Sequence, residues 1–149
     1  MAGERGGVGK TARAGYEIGV RRTLPCAEEQ LWALLLSPEG LRTWLGGPAE
    51  IAEGAPFTLD NGTSGEIRVY KPWSHIRLIW QPAGWVDPST LQVRVMPAAH
   101  GTTVGIHQEQ LGGEEERERM KAHWEQVIGR LAEMLHGGSG AASATARQR

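Results

Sequence analysis

Between residues 16 and 24 the chain alternates, with Tyr16, Ile18, Val20 and Leu24 on one parity and Glu17, Arg21 and Thr23 on the other. A period of two marks a strand with one face buried, and Pro25 ends it. The next apolar run, Leu31, Trp32, Leu34, Leu35 and Leu36, follows an acidic first turn at Glu28 and Glu29 that suits the positive end of a helix dipole. It predicts a short helix. Ser37-Pro38-Glu39 places Ser at an N-cap and Pro at the first helical position, which predicts a second short helix from Ser37 to Leu45, stopped by Gly46-Gly47.

From Ala49 to Leu111 Gly, Pro, Asn and Asp recur at short intervals with apolar residues alternating between them, the pattern of an antiparallel meander. The predicted strands are Ala49 to Glu53, Phe57 to Asp60, Gly65 to Tyr70, His75 to Gln81, Thr90 to Met96 and Thr102 to Gln110, with Asp60-Asn61-Gly62 as a hairpin turn. Ile76, Leu78 and Trp80, then Leu91, Val93 and Val95, then Val104 and Ile106, share a parity and predict one apolar face. Arg77, Gln92 and Arg94 fall on the opposite, solvated face.

Met120, Trp124, Val127, Ile128, Leu131, Met134 and Leu135 repeat at intervals of three and four behind the acidic turn Glu114 to Glu116. This predicts a long amphipathic helix, roughly 33 Å from Glu114 to Leu135 at about 1.5 Å per residue, lying along the apolar face of the sheet. Residues 1–15 are Gly-rich and polar and residues 137–149 are rich in Gly, Ser and Ala, so neither end offsets its ordering entropy by burial. Both are expected to be mobile tails around one α+β domain over residues 16–136.

Composition narrows the partners. The 16 Lys and Arg against 17 Asp and Glu leave a formal net charge of -1, so no electrostatic excess draws the chain to nucleic acid or to anionic lipid. No segment is apolar enough for a membrane span or a signal peptide, and the single cysteine, Cys26, makes no internal disulfide. The expectation is a cytoplasmic protein without membrane insertion.

Taken in order, Trp32 in the first helix, Trp44 in Leu41-Arg42-Thr43-Trp44, Gly65-Glu66-Ile67, Ile76-Arg77-Leu78-Ile79-Trp80, Gly101-Thr102-Thr103-Val104 and His123-Trp124 cover the whole predicted domain. In this order the chain resembles the SRPBCC or START-like superfamily, and within it the domains named for the activator of the heat-shock protein 90 ATPase. The resemblance implies the helix-grip fold, a curved antiparallel sheet wrapped around a long C-terminal helix, with two short helices after the first strand. It also implies a cavity between helix and sheet. Many such relatives hold lipids, polyketides or other apolar molecules there, and a minority catalyse cyclisation or hydrolysis.

Several residues invite a chemical reading. Gly6-Gly7-Val8-Gly9-Lys10-Thr11 looks like part of a phosphate-binding loop, but Glu4 stands where that motif needs glycine and no strand precedes it. His75, His100, His107, His123 and His136 show no metal-ligand spacing, so no metal and no cofactor is expected. Cys26 sits at a helix start that would lower a thiol pKa, yet a small residue at a strand-to-helix corner explains it as well. No acid–base pair stands out, so no catalytic residue is assigned. His107 and Glu109 are expected to point outward.

The tryptophans carry the most information. Trp32, Trp44, Trp80 and Trp124 fall on apolar stripes, whereas Trp73 and Trp85 fall at strand ends, where rings commonly border a cavity. The leading expectation is a domain that binds an apolar or amphipathic small molecule, lined by Trp44, Trp80, Val93, Val95, Ile106, Trp124 and Ile128. Trp73 and Trp85 stand at its mouth, and His123 and Gln108 orient the ligand. The alternatives are a protein-interaction module with a chaperone partner and, third, an enzyme acting on a cyclic or aromatic substrate.

Overall fold

The computed structural model describes the backbone of residues 16–145 and the side chains of residues 16–137. The phosphate-loop-like segment and the ends at 1–15 and 146–149 lie outside these residues. The elements are β1 (Tyr16–Leu24), α1 (Glu28–Leu36), α2 (Pro38–Trp44), β2 (Pro56–Thr58), β3 (Ser64–Lys71), β4 (His75–Gln81), β5 (Ser89–Ala98), β6 (Gly101–Leu111) and α3 (Glu114–Thr145). All neighbouring strands are antiparallel, in the order β1-β6-β5-β4-β3-β2.

Local chemistry accounts for the boundaries. Ser37 serves two helices at once: its hydroxyl donates to the Leu34 carbonyl at the end of α1 (2.7 Å) and accepts from the Gly40 amide at the start of α2 (3.0 Å). At the β2–β3 turn Asn61 Oδ1 accepts from the Thr63 amide at 2.9 Å, and Gly62 takes the left-handed φ of 91° that the turn requires.

Three boundaries differ from expectation. Residues 49–53 form no strand: Ala49, Ile51 and Ala55 pack on the core, but a turn closes from the Ala55 amide to Ala52 and the segment covers β3 as a loop. The β2 strand stops at Thr58 because Leu59 turns inward with the hairpin, only 7% exposed. The long helix continues past Leu135 to Thr145, since Ala141, Ala142 and Ala144 prefer helix and no proline breaks it.

The core fills the space between one sheet face and the helices. Ile18, Ile67, Ile76, Leu78, Leu91, Val93, Val104 and Ile106 come from the sheet, Trp124, Val127, Ile128 and Leu131 from α3, and Leu31, Leu35 and Trp44 from the short helices. The α1–α2 corner is the tightest join, because a Cβ at Gly40 would lie 1.7 Å from the Leu34 carbonyl oxygen. Gly40→Ala is therefore expected to destabilise the chain by about 2 kcal/mol or more, measured by urea denaturation, through overpacking that the backbone must yield to.

Candidate functional site

Three buried tryptophans each spend their one polar atom on the protein itself. Trp44 Nε1 donates to the Leu35 carbonyl at 2.8 Å and Trp80 Nε1 to the Leu45 carbonyl at 2.9 Å, which satisfies acceptors left open at the ends of α1 and α2. Trp124 Nε1 donates to Gln108 Oε1 at 2.8 Å. An indole nitrogen only donates, so the amide orientation follows: Gln108 Nε2 faces Ser89 Oγ at 3.0 Å, and Ser89 in turn donates to the Trp80 carbonyl at 2.8 Å. Gln108 and Ser89 are fully buried.

These bonds decide what the expected ligand-lining residues touch. Trp44, Val93, Val95, Ile106, Trp124 and Ile128 lie in the packed core, and Gln108, expected to orient a ligand, already has both ends of its amide engaged. Trp73 and Trp85 stand at opposite ends of β4 and border no common opening. Trp73 leans on Trp32, with ring centroids 6.2 Å apart, and Trp32 stacks on Tyr70 at 6.2 Å.

What the fold does bring together is Trp80, Trp85, His123 and Trp124. Trp85 meets Trp80 edge-on at 6.1 Å, Trp80 lies 5.2 Å from Trp124, and the His123 ring sits 4.6 Å from Trp124 and 6.5 Å from Trp80. The loop after β4 holds Trp85 in place: its amide donates to the Pro82 carbonyl at 3.1 Å, Gly84 supplies φ 86°, and Gln81 Nε2 donates to the Trp85 carbonyl at 2.7 Å. Half-buried Trp85 then walls a cleft of ≈ 400 Å³ shared with Val86, Asp87, Gln110, Glu116 and Arg119.

One residue lining this cleft, Gln110, has a strained backbone. Opposite Glu17 of β1, strand β6 carries two residues, Glu109 and Gln110, which makes a β-bulge. Gln110 takes φ 66°, a left-handed conformation costly for a residue with a side chain, and its Oε1 accepts from Thr90 Oγ1 at 2.7 Å. From α3, Glu116, Arg119 and His123 follow at intervals of three and four and so share one face. The sequence marks Glu114 to Glu116 only as the acidic first turn of this helix and singles out neither Arg119 nor Gln110. The helical spacing from Glu116 to His123 was the available signal.

The His123 ring meets Trp124 edge-on, lies roughly parallel to Trp80, and is otherwise exposed. Burial, and after it the charge of Arg130, pushes its pKa below the ordinary histidine value. Cys26 moves the other way: burial raises its thiol against a smaller lowering by Thr102, so the helix start does not activate it.

Among the described residues one group has metal-compatible side chains, Glu17, His107 and Glu109 on the outer face of the sheet. The two carboxylates approach different ring nitrogens, Glu17 at Nε2 (2.6 Å) and Glu109 at Nδ1 (3.4 Å), and Glu109 also pairs with Arg77 at 3.3 Å. Ligands on opposite edges of one imidazole do not converge on an ion. No described helix is long and apolar enough to cross a membrane.

A curved antiparallel sheet closed on one face by a long C-terminal helix, with two short helices after the first strand, defines the helix-grip architecture of the SRPBCC, or START-like, superfamily. A sequence model of the family "Activator of Hsp90 ATPase homolog 1-like protein" matches residues 25–136, and the chain belongs to that family. Among solved structures, the crystal structure of DynU16, from the dynemicin biosynthetic locus, superposes with a TM-score of 0.74 at 23% identity, over 82% of this chain and 48% of DynU16. The chain thus spans about half the length of that protein. CalU16 from Micromonospora echinospora follows the same fold with a TM-score of 0.70 at 20% identity, over 81% of this chain and 74% of CalU16. For MLL2253 from Mesorhizobium loti the TM-score is 0.69 at 21% identity, over 80% and 96%. No curated protein matches.

Two measurements check the site. Trp124→Phe leaves Gln108 Oε1 buried without its donor, which is expected to cost about 1–3 kcal/mol beyond the lost ring volume. Adding Gln108→Leu removes that orphaned acceptor, so the double variant is expected to be more stable than the sum of the single effects by about 1 kcal/mol in a double-mutant cycle. The second concerns pH. The depressed pKa of His123 means that the unfolded chain takes up a proton more readily than the folded one, so stability is complete above the ordinary histidine pKa and falls as pH drops through it toward the depressed value. Urea midpoints of His123→Gln and the parent are expected to shift together above about pH 7 and to separate below about pH 6, the parent losing more.

Proposed function

We propose that this chain binds an amphipathic, ring-bearing small molecule at the open end of the sheet, between the loop after β4 and the first turns of α3. The observation that carries the reading is Trp85. It is half-exposed, walls a cleft of ≈ 400 Å³, and is braced edge-on by Trp80, whose own nitrogen is already satisfied. A volume of this size suits a small ligand, and a braced indole loses little freedom when a ring settles against it. Val86, 90% exposed at the loop tip, gives a further apolar surface, while Gln110, Glu116 and Arg119 supply the polar groups that would orient the bound molecule.

This reading moves the ligand from the interior expected at first to its rim. Reaching Trp44, Val93 or Ile106 would require displacing packed side chains, whereas Trp85 and His123 are met without disturbing the core. A cytoplasmic setting goes with it, from the lone cysteine. An enzyme acting on a cyclic or aromatic substrate is a second reading, and His123 is the observation in its favour. Its ring lies against Trp80, which also meets Trp85 of the cleft wall, its pKa is depressed, and among the described residues no side chain hydrogen-bonds to it, so a neutral imidazole is available as a base.

Titration of intrinsic tryptophan fluorescence with fatty acids, sterols and flavonoid-like aromatics tests the proposal. A saturable change for one class is expected, weakened about tenfold in Trp85→Ala with a stability change under about 1 kcal/mol, since the ring is not part of the deep core. Absence of any response across the panel, or a Trp85→Ala variant that binds as well as the parent, would sink it.

A further inference from the structure

The sheet ends unequally. One edge strand, β2, has 3 residues, whereas the other, β1, has 9 and pairs with β6 alone. Alternate backbone N–H and C=O groups of β1 therefore point away from the sheet. Among the described residues one side chain bonds to this backbone: Arg117 Nε donates to the Glu17 carbonyl at 3.0 Å, and a carbonyl accepts a second bond. From Ile18 to Thr23 no hydrogen bond among the described residues reaches the β1 backbone from its free side. The bulge that could blunt the edge lies on β6, so β1 itself runs regularly. Along the edge a groove of ≈ 350 Å³ opens between residues 19–22 of β1 and Lys121, Glu125 and Ile128 of α3.

Gly19, in the middle of this strand, is not explained by its own fold. Its φ is not left-handed, and a Cβ there would meet the His107 ring at 3.5 Å, an ordinary contact, and otherwise only the Ile106 carbonyl oxygen at 4.0 Å. Glycine weakens a strand interior and suits a place where another backbone comes close. The charges point the same way. Across the outer face Arg77 meets Glu109, Glu109 meets His107 and His107 meets Glu17, so the series stops at the sheet edge on an acid. Arg21, on the same strand and the same face, forms no ion pair among the described residues.

We propose that two copies of this chain associate through β1, joining their sheets edge to edge about a two-fold axis at Gly19, independently of the cleft. The strand is complementary to its own reverse in this register. Glu17 stands opposite Arg21 of the second copy, and Arg21 opposite its Glu17, on the outer face, while Ile18 and Val20 oppose each other on the face turned to α3. Each Glu17 thereby gains the next cation of the series. Moving the axis to Arg21 or Arg22 sets like charges against each other, and moving it to Val20 puts Arg22 opposite Ile18. The nearest other occupant, residues 1–15, carries Arg5, Lys10 and Arg13 against Glu4, the same sign as Arg21, Arg22 and Lys121 beside the groove.

Sedimentation velocity of the full chain over a concentration series tests this. A reversible monomer–dimer equilibrium is expected, weakened tenfold or more in Arg21→Glu, which meets Glu17 twice by symmetry, and restored when Glu17→Arg is added. Gly19→Lys sets two ammonium groups against each other on the axis. It is expected to abolish association while the melting temperature of dilute protein does not fall, because the monomer has room for a side chain there. In a Cys26→Ser background, Gly19→Cys is expected to form a disulfide-linked dimer in air, since directly opposed residues stand about 5 Å apart. Arg21→Cys, roughly 14 Å from its own copy in this register, is expected to stay unlinked. A chain that remains monomeric up to about 1 mM, or a dimer indifferent to both Gly19→Lys and Arg21→Glu, overturns the proposal. So does a monomer whose outward β1 amides resist hydrogen exchange, a result that assigns the edge to residues 1–15.

Discussion

The rest of the structure depends on one directional chain of buried hydrogen bonds. It runs from the Trp124 indole on α3 to the Gln108 amide on β6, from there to the Ser89 hydroxyl on β5, and ends on the Trp80 carbonyl on β4. Because the indole donates and never accepts, every later member has its orientation set. Each bond contributes only about 1 kcal/mol net, but breaking one strands a buried polar group at a cost of about 1–3 kcal/mol. The helix is thereby held at one depth and one rotation over the sheet, which apolar packing alone does not specify.

Trp44 and Trp80 extend the same logic to the short helices, donating to the Leu35 and Leu45 carbonyls at their C-terminal ends. The interior of the grip is consequently rich in aromatic surface yet short of unsatisfied polar atoms, so it has little with which to orient a guest. The groups that remain available lie where the chain is strained or exposed: Trp85 on its turn, Gln110 in the bulge, and Glu116, Arg119 and His123 on the first turns of α3. A rigid, fully bonded centre and a less constrained rim are complementary results of one packing solution.

The two faces of the sheet divide the remaining surface. Inside, side chains of period two meet the helix; outside, the same period produces rows of charge whose alignment depends on the register between strands. Glu17 is far along the chain from Arg77, His107 and Glu109 and joins their series only through pairing that brings β1 beside β6.

Periodicity alone determined much of this protein. The alternation in β1, β4, β5 and β6, the spacing of apolar residues in α3 and the Ser37-Pro38 signal are local properties, and local sterics and burial make them legible from sequence. The segment at Ala49 to Glu53 shows the limit: its alternation is real, but a strand also needs a free edge, and the turn at Ala52 withdraws it. The sequence marked the tryptophans as informative without saying which were bonded inward. Whether Gln108 faces a ligand or Trp124, and whether Trp73 and Trp85 share an opening or stand at opposite ends of β4, are questions of distance across the fold. Only the tertiary structure decided them, because hydrogen-bond satisfaction and strand register are relations between residues that the chain order does not contain.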